Sequence, residues 1–262
     1  MSILNKDFIR ENICSNQSTR VDDRGAEYTK ISQVPYRWTH GANDYHMGDG
    51  LLIYSFVQYM RAKVCVCLGS GGGFIPRIMT QARLDLHDEM IFDGDNHPSW
   101  GDIGSTYVVD AANGVGGYTD WTAEDSFFRR KFQPRIILDT TENAFYNFFV
   151  KEDIKIDYLH IDADHSYEGV KQDFQLYSKL VAPHGLISIH DTDGKYEENY
   201  IVTKDIADQS DHDEFTSGPA QLVSEISDDW EKFSFFNEGI LPEKPSSTGF
   251  TLLRRKDAGK KL

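Results

Sequence analysis

The stretch "KVCVCLGSGGGFIPRIMTQARLDL" (Lys63–Leu86) decides the fold. It opens with a short apolar run, Val64 to Leu68, that reads as a buried strand. Glycines follow at once, at Gly69, Gly71 and Gly73, with Ser70 between the first two. A helical pattern then begins, with Pro76 in its first turn, where the missing N–H costs nothing. Strand, glycine loop and helix in that order form the first unit of an α/β sheet. Glycine lets the backbone turn tightly against a ligand, and the helix start offers unpaired N–H groups. The spacing is G-x-G-x-G. A dinucleotide fingerprint wants G-x-G-x-x-G, but position 74 is Phe, and no Lys-Ser/Thr pair marks a P-loop. A plain tight turn would also use such a run.

The same alternation continues along the chain. "MGDGLLIYSFVQYM" (Met47–Met60) precedes it as a helix opening near Asp49. "STYVVDAA", "RIILDT", "IDYLHIDAD" and "LISIHDTD" read as strands. "AEDSFFRRKF", "TENAFYNFFV" and "SYEGVKQDFQLYSKLV" read as the helices between them, with "APHG" stopping the last. "KFSFFNEG" and "GFTLLRRK" fit an antiparallel edge hairpin. Strands alternating with helices predict a mostly parallel sheet covered on both faces, with ligands bound outside the carboxyl ends of the strands.

Composition sets the outer bounds. The chain has 262 residues, a net charge of −15 and a pI of about 4.9. That acidity argues against nucleic acid or an anionic membrane as partner. The first residues are charged throughout and show no signal peptide, and no apolar run approaches a membrane span. Three cysteines, Cys14, Cys65 and Cys67, give an odd count; they read as small buried hydrophobes in a reducing cytoplasm. We divide the chain into an N-terminal lid or substrate segment (1–47), a catalytic domain (48–256) and a basic tail (257–262). A homo-oligomer is compatible with all of this.

The densest chemistry lies in "IDYLHIDADHSYEGV" (Ile156–Val170). A strand that reads as buried ends in Asp162, Asp164 and His165. Carboxylates this close to a core are costly unless something positive joins them. A metal-free cluster that caps the following helix is the plainer alternative.

Taken together, "VCVCLGSGGG", "YVVDAAN", "IILDTTENA" and "LHIDADHSYEGVKQDFQLYSKLVAPHGLISIHDTD" resemble, in order, the motifs of class I S-adenosylmethionine-dependent methyltransferases. The last stretch looks like the subgroup of macrocin O-methyltransferases and cephalosporin-hydroxylase-like proteins. The resemblance implies a Rossmann-like α/β fold, seven-stranded and mostly parallel, with a C-terminal antiparallel hairpin. It implies S-adenosylmethionine bound by Gly69, Ser70, Gly71 and Gly73. Asp110 would take the ribose, with Asp93 or Asp95 as rivals, and Asp139 and Thr140 would lie near the adenine. Asp and Thr are also good N-caps, which is the structural alternative for those two. Cys67 departs from the family, which usually has an acid there.

The resemblance further implies a divalent metal, Mg²⁺ or Mn²⁺, on Asp162, His190 and Asp191. His190 stands where the family has an acid, and imidazole suits Mn²⁺, Fe²⁺ or Zn²⁺ better than Mg²⁺. Asp164 matches the general base, with His165 as its rival. The segment "YRWTHGANDYHMGDG" holds Arg37, Trp38, His40, Asp44, Tyr45 and His46, and by resemblance closes over the cofactor. Tyr45, His46 and Asp193 are the candidate acceptor contacts. The expected activity is O-methylation of a sugar or sugar-containing metabolite in the cytoplasm. Alternatives are another small-molecule or phosphate-bearing acceptor, or a non-catalytic binding protein of this fold. A nicotinamide oxidoreductase fails on the glycine spacing. A metal hydrolase leaves the glycine loop unexplained.

Overall fold

A computed structural model describes residues 5–13, 40–42, 46–70, 73–92, 104–111, 124, 127–193, 218–236 and 247–257. The strands β1 (Val64–Leu68), β2 (Ser105–Val109), β3 (Arg135–Ile137), β4 (Ile156–Ile161), β5 (Val181–His190), β6 (Trp230–Phe235) and β7 (Phe250–Arg255) form one seven-stranded sheet. Their order is β3-β2-β1-β4-β5-β7-β6. The first five are parallel, and β7 runs antiparallel to both β5 and β6. The order reverses between β1 and β4, which is where such sheets bind ligands.

Among the described residues six helices accompany the sheet, besides a short N-terminal helical stretch (Lys6–Phe8, continuing as a π turn Ile9–Ile13): α1 (Asp49–Met60), α2 (Phe74–Phe92), α3 (Phe127–Phe132), α4 (Thr141–Ala144, continuing as a π turn Phe145–Phe149), α5 (Tyr167–Tyr177) and α6 (Gly218–Glu225). The strands alternate their side chains between two cores. Cys65, Cys67, Val108, Tyr158 and Leu252 join Ile53, Val57, Ile78 and Met79 of α1 and α2 on one face. Val66, Leu68, Leu159, Ile161 and Ile187 join Phe145, Phe149, Val170 and Tyr177 of α4 and α5 on the other. Each fully buried side chain of this kind contributes about 1.5–3 kcal/mol. That is why both faces of the parallel strands read as apolar in sequence.

Two local expectations change. "APHG" does not stop the preceding helix, which ends earlier at Tyr177; those residues lie within β5, because Val181 to His190 is continuous strand. Pairing runs from Ile156↔Val181 to Tyr158↔Leu186, with an irregularity between. Pro183 sits in that bulged, exposed stretch, where no ladder N–H is required. β3 is three residues long, because Asp139 and Thr140 are drawn into the start of α4. Cys65 and Cys67 are free and buried, as expected. Among the described residues no helix is long and apolar enough to cross a membrane. Cys14, Gly71, Asp44, Tyr45, Asp93 and Asp95 lie outside the described residues, as do most of the 1–47 segment and residues 258–262.

Candidate active site

Gly69 ends β1 with φ +71, a left-handed conformation. A Cβ there would lie 2.0 Å from the carbonyl oxygen of Asp162, so only glycine lets β4 finish beside the loop. Cys67 donates its thiol to the Gly69 carbonyl at 2.9 Å. Ser70 donates its hydroxyl to Asp110 Oδ2 at 2.6 Å, and both are buried at the ends of β1 and β2. The Gly73 N–H donates to the Ser70 carbonyl at 2.8 Å and closes the turn into α2.

These residues form one end of a cavity of about 430 Å³. Its wall continues through Thr140, Thr141 and Glu142 at the start of α4. It then passes Asp162, Ala163 and Asp164 after β4, and Gly169, Gln172 and Asp173 on α5. Asp139 does not line it. Its carboxylate accepts from the Thr140 N–H at 2.8 Å and from Asn143 Nδ2 at 2.9 Å, while Thr140 Oγ1 accepts from the Asn143 N–H at 3.2 Å. Asp139 is thus occupied at a helix start, and Thr140 both caps and lines the cavity.

Beside the glycine loop, just after β4, Asp162 stands among four imidazoles. Its Oδ1 is 3.2 Å from His165 Nε2 and 3.2 Å from His190 Nδ1. Its Oδ2 is 3.8 Å from the Nε2 atoms of both His40 and His160. The register Ile161↔Ile189 sets Asp162 beside His190. Asp191 follows with φ 56, and its Oδ2 reaches His165 Nδ1 at 3.2 Å while Oδ1 reaches His190 Nδ1 at 3.2 Å. His165 therefore bridges the two carboxylates. Two sets of donor atoms lie close enough to share one ion: His40, Asp162 and His190, and Asp162, His165 and Asp191.

Residues 66–192 match the family described as a methyltransferase domain. That match runs from β1 past the end of β5 and takes in the glycine loop and, apart from His40, the carboxylate–imidazole cluster. Among solved structures of this fold, an O-methyltransferase from Bacillus cereus in complex with SAH aligns with TM-score 0.54 at 13% identity, over 79% of this chain and 80% of that one. TomG from Streptomyces achromogenes, an O-methyltransferase involved in tomaymycin synthesis and solved with SAM, aligns with TM-score 0.55 at 13% identity, over 90% and 91%. A protein from Klebsiella pneumoniae aligns with TM-score 0.57 at 14% identity, over 97% and 92%. Among curated proteins, none matches the sequence.

Charge is concentrated at the β4–β5 end of the site. Burial pushes the Asp162 carboxyl up, but the charge of His190 and hydrogen bonds from His165 and His190 win and hold it well below the usual range. Asp191 is lowered too, as His190 and His165 outweigh its burial. Burial lowers His190 and His165, yet Asp191 and Asp162 reverse this; His190 ends well above the ordinary value and His165 at about 9. His40 and His160 go the other way. Burial, and for His40 the charge of His190, keep them neutral. The charged forms of His165 and His190 and those of Asp162 and Asp191 therefore favour one another.

Of the remaining expected residues, Asp164 is exposed, and its Oδ1 accepts from the Ser166 N–H at 2.9 Å. It belongs to the cavity wall and the α5 start, not to the imidazole cluster. His46 is exposed and its Nδ1 accepts from the Gly48 N–H at 2.9 Å. The Asp193 N–H donates to the Thr248 carbonyl at 3.0 Å, at the end of β5. Sequence reasoning did not single out His40 or His160 as neighbours of Asp162. It also missed Thr248, whose hydroxyl donates to Asp191, and Asp49, which accepts from Ser247. A bridge between His40 and Ser247 carries His40 in. No local motif marks these contacts, because each joins segments far apart in the chain.

Proposed function

We propose that the protein is an S-adenosylmethionine-dependent O-methyltransferase acting on a hydroxyl of a small polar acceptor, most simply a sugar or sugar-containing metabolite. One observation carries this reading: Asp162 both lines the cavity that begins at the glycine loop and forms the centre of the carboxylate–imidazole cluster. Cofactor and acceptor sites therefore meet at a single residue.

Bound S-adenosylmethionine supplies an electrophilic methyl group on a sulfonium. The acceptor oxygen forms the new C–O bond as the S–CH₃ bond breaks and its electrons pass to sulfur; the hydroxyl proton leaves to a base. Asp110, steadied by Ser70, accepts the ribose hydroxyls. The backbone after β1 gives the cofactor close approach, and holding the reactants in line removes much of the entropic barrier.

The donor set at the β4–β5 end fits a divalent metal. It offers two triads that share Asp162, one with His40 and His190 and one with His165 and Asp191, rather than Asp162, His190 and Asp191 as a single set; so much imidazole suits Mn²⁺, Fe²⁺ or Zn²⁺ better than Mg²⁺. A cation held there would supply Lewis-acid polarisation of the acceptor hydroxyl. An acceptor with two adjacent oxygens, as a sugar diol has, matches a paired-carboxylate site. His165 is the proton acceptor in this reading, because it touches both carboxylates and Asp164 does not. It serves in that role where another positive charge neutralises the pair.

The test is an acceptor screen with S-adenosylmethionine, with and without EDTA. Methyl transfer to a hydroxyl, lost in EDTA and restored by Mn²⁺, is expected. Full activity on protein shown to be metal-free removes the metal from this account. Cofactor binding with no turnover on any acceptor favours a binding protein of the same fold.

A further inference from the structure

Asp173 lies on α5 in the middle of the second core, four residues after Gly169 and next to Gln172, and all three line the cavity. It is 2% exposed. Thr141 hydrogen-bonds its carboxyl, but Oδ2 has no hydrogen-bond partner among the described residues. Leaving a buried acceptor unsatisfied costs about 1–3 kcal/mol, and native proteins keep few such groups. Val170, Leu176 and Tyr177 on the same helix are buried and pack in the apolar core, so packing alone gives no reason for a carboxyl here. Burial first, and then the charge of Asp164, push this carboxyl up to about 7, against the bond from Thr141. It is therefore a poor place for a permanent charge and a good place for a ligand's donor.

We propose that Asp173 reads the purine of S-adenosylmethionine, with Oδ2 accepting a hydrogen bond from the exocyclic 6-amino group. The inference rests on reading the cavity as the cofactor site. The cofactor has three kinds of donor. The ribose hydroxyls belong with Asp110 and Ser70 at the ends of β1 and β2. The amino-acid end belongs with the glycine loop, on the side of the acceptor cluster. The base is left for the far wall, which Thr140, Thr141, Gln172 and Asp173 build. Asp139 does not line the cavity and Glu142, which does, is exposed, so Asp173 is the buried acid in that wall with an oxygen to offer.

The test compares two ligands by calorimetry: S-adenosylhomocysteine, and its analogue carrying hydrogen in place of the 6-amino group. Wild-type protein is expected to prefer the amino ligand by about ten- to a hundredfold, the size of one hydrogen bond to a charged or polarised group. Asp173→Ala should bind both ligands alike. Asp110→Ala should weaken both while keeping their ratio. Asp173→Asn, which keeps shape and a carbonyl acceptor, should retain part of the preference; thermal unfolding checks that each variant is folded. A wild-type ratio near one, or an unchanged ratio in Asp173→Ala, overturns the role of Asp173 and leaves the cofactor site standing. No binding of S-adenosylhomocysteine by wild-type protein overturns the cofactor reading and this inference with it.

Discussion

The two ends of the site are built differently. At the β1–β2 end, Ser70 and Asp110 satisfy each other, and the loop is shaped by Gly69 and a thiol bond from Cys67. At the β4–β5 end, two carboxylates and four imidazoles crowd together, with two of those imidazoles held positive by their neighbours. In the proposed reading the first arrangement offers a carboxylate to the hydroxyls of a ribose. The second stores opposed charges that a reacting hydroxyl can draw on. In the proposed reading, binding and chemistry are separated along the carboxyl ends of the parallel strands, with Asp162 where they meet.

That separation is open to attack by substitution. The largest effect is expected for Asp162→Asn. Turnover should fall to background, while calorimetric affinity for S-adenosylhomocysteine stays within a fewfold of wild type; loss of both together would mean that the two ends are not separable. Next comes the proton acceptor. His165→Gln should lose roughly a hundredfold or more in kcat. Asp164→Asn should stay near wild type, and the opposite ranking in steady-state kinetics would return the base to Asp164. At the binding end, Asp110→Ala gives up a charged hydrogen-bond acceptor worth about 1.5–3 kcal/mol. Affinity for S-adenosylhomocysteine should drop about tenfold or more, with kcat at saturating cofactor little changed.

The smallest effect concerns stability. The folded Asp173 carboxyl titrates at about 7, raised from 3.8. Because that value is raised, the folded protein holds a proton that the unfolded chain gives up. Stability is therefore lost as pH rises from about 4 through 7. Asp173→Asn should flatten that part of the curve, by a few degrees in Tm. An identical pH profile in the variant would mean that the carboxyl is not buried in solution.

The binding end was easier to read from sequence because its signals are local. Gly69 and Ser70 sit inside one strand–loop–helix run, and Asp110 directly follows a strand. Asp162, His190 and Asp191 were legible for the same reason, each closing an apolar run. The partners of those residues were not. His40 arrives through a bridge to Ser247, and Thr248 reaches Asp191 across 57 positions. Such contacts depend on how strands are ordered, which periodicity does not report. Asp139 shows the converse: its position after β3 suggested a ligand, but the adjoining helix start offered nearer N–H donors and claimed it. Asp173 was hidden in an amphipathic pattern, where a polar residue on a helix is expected to face water.

The placement of β7 has a consequence for the order in which the molecule is made. β6 is translated before β7, yet in the finished sheet it touches only β7, which lies between it and β5. As the chain leaves the ribosome, β5 waits as an open edge and β6 has no strand to pair with. His190 and Asp191 are already out, but Ser247 and Thr248 are not. When residues 247–255 emerge, a single event seals the open edge, recruits β6, and brings the hydroxyls of Ser247 and Thr248 to Asp49 and Asp191. A nascent chain halted before that point would carry every acid and imidazole of the cluster and still lack the contacts that hold Asp191 and His40 in place.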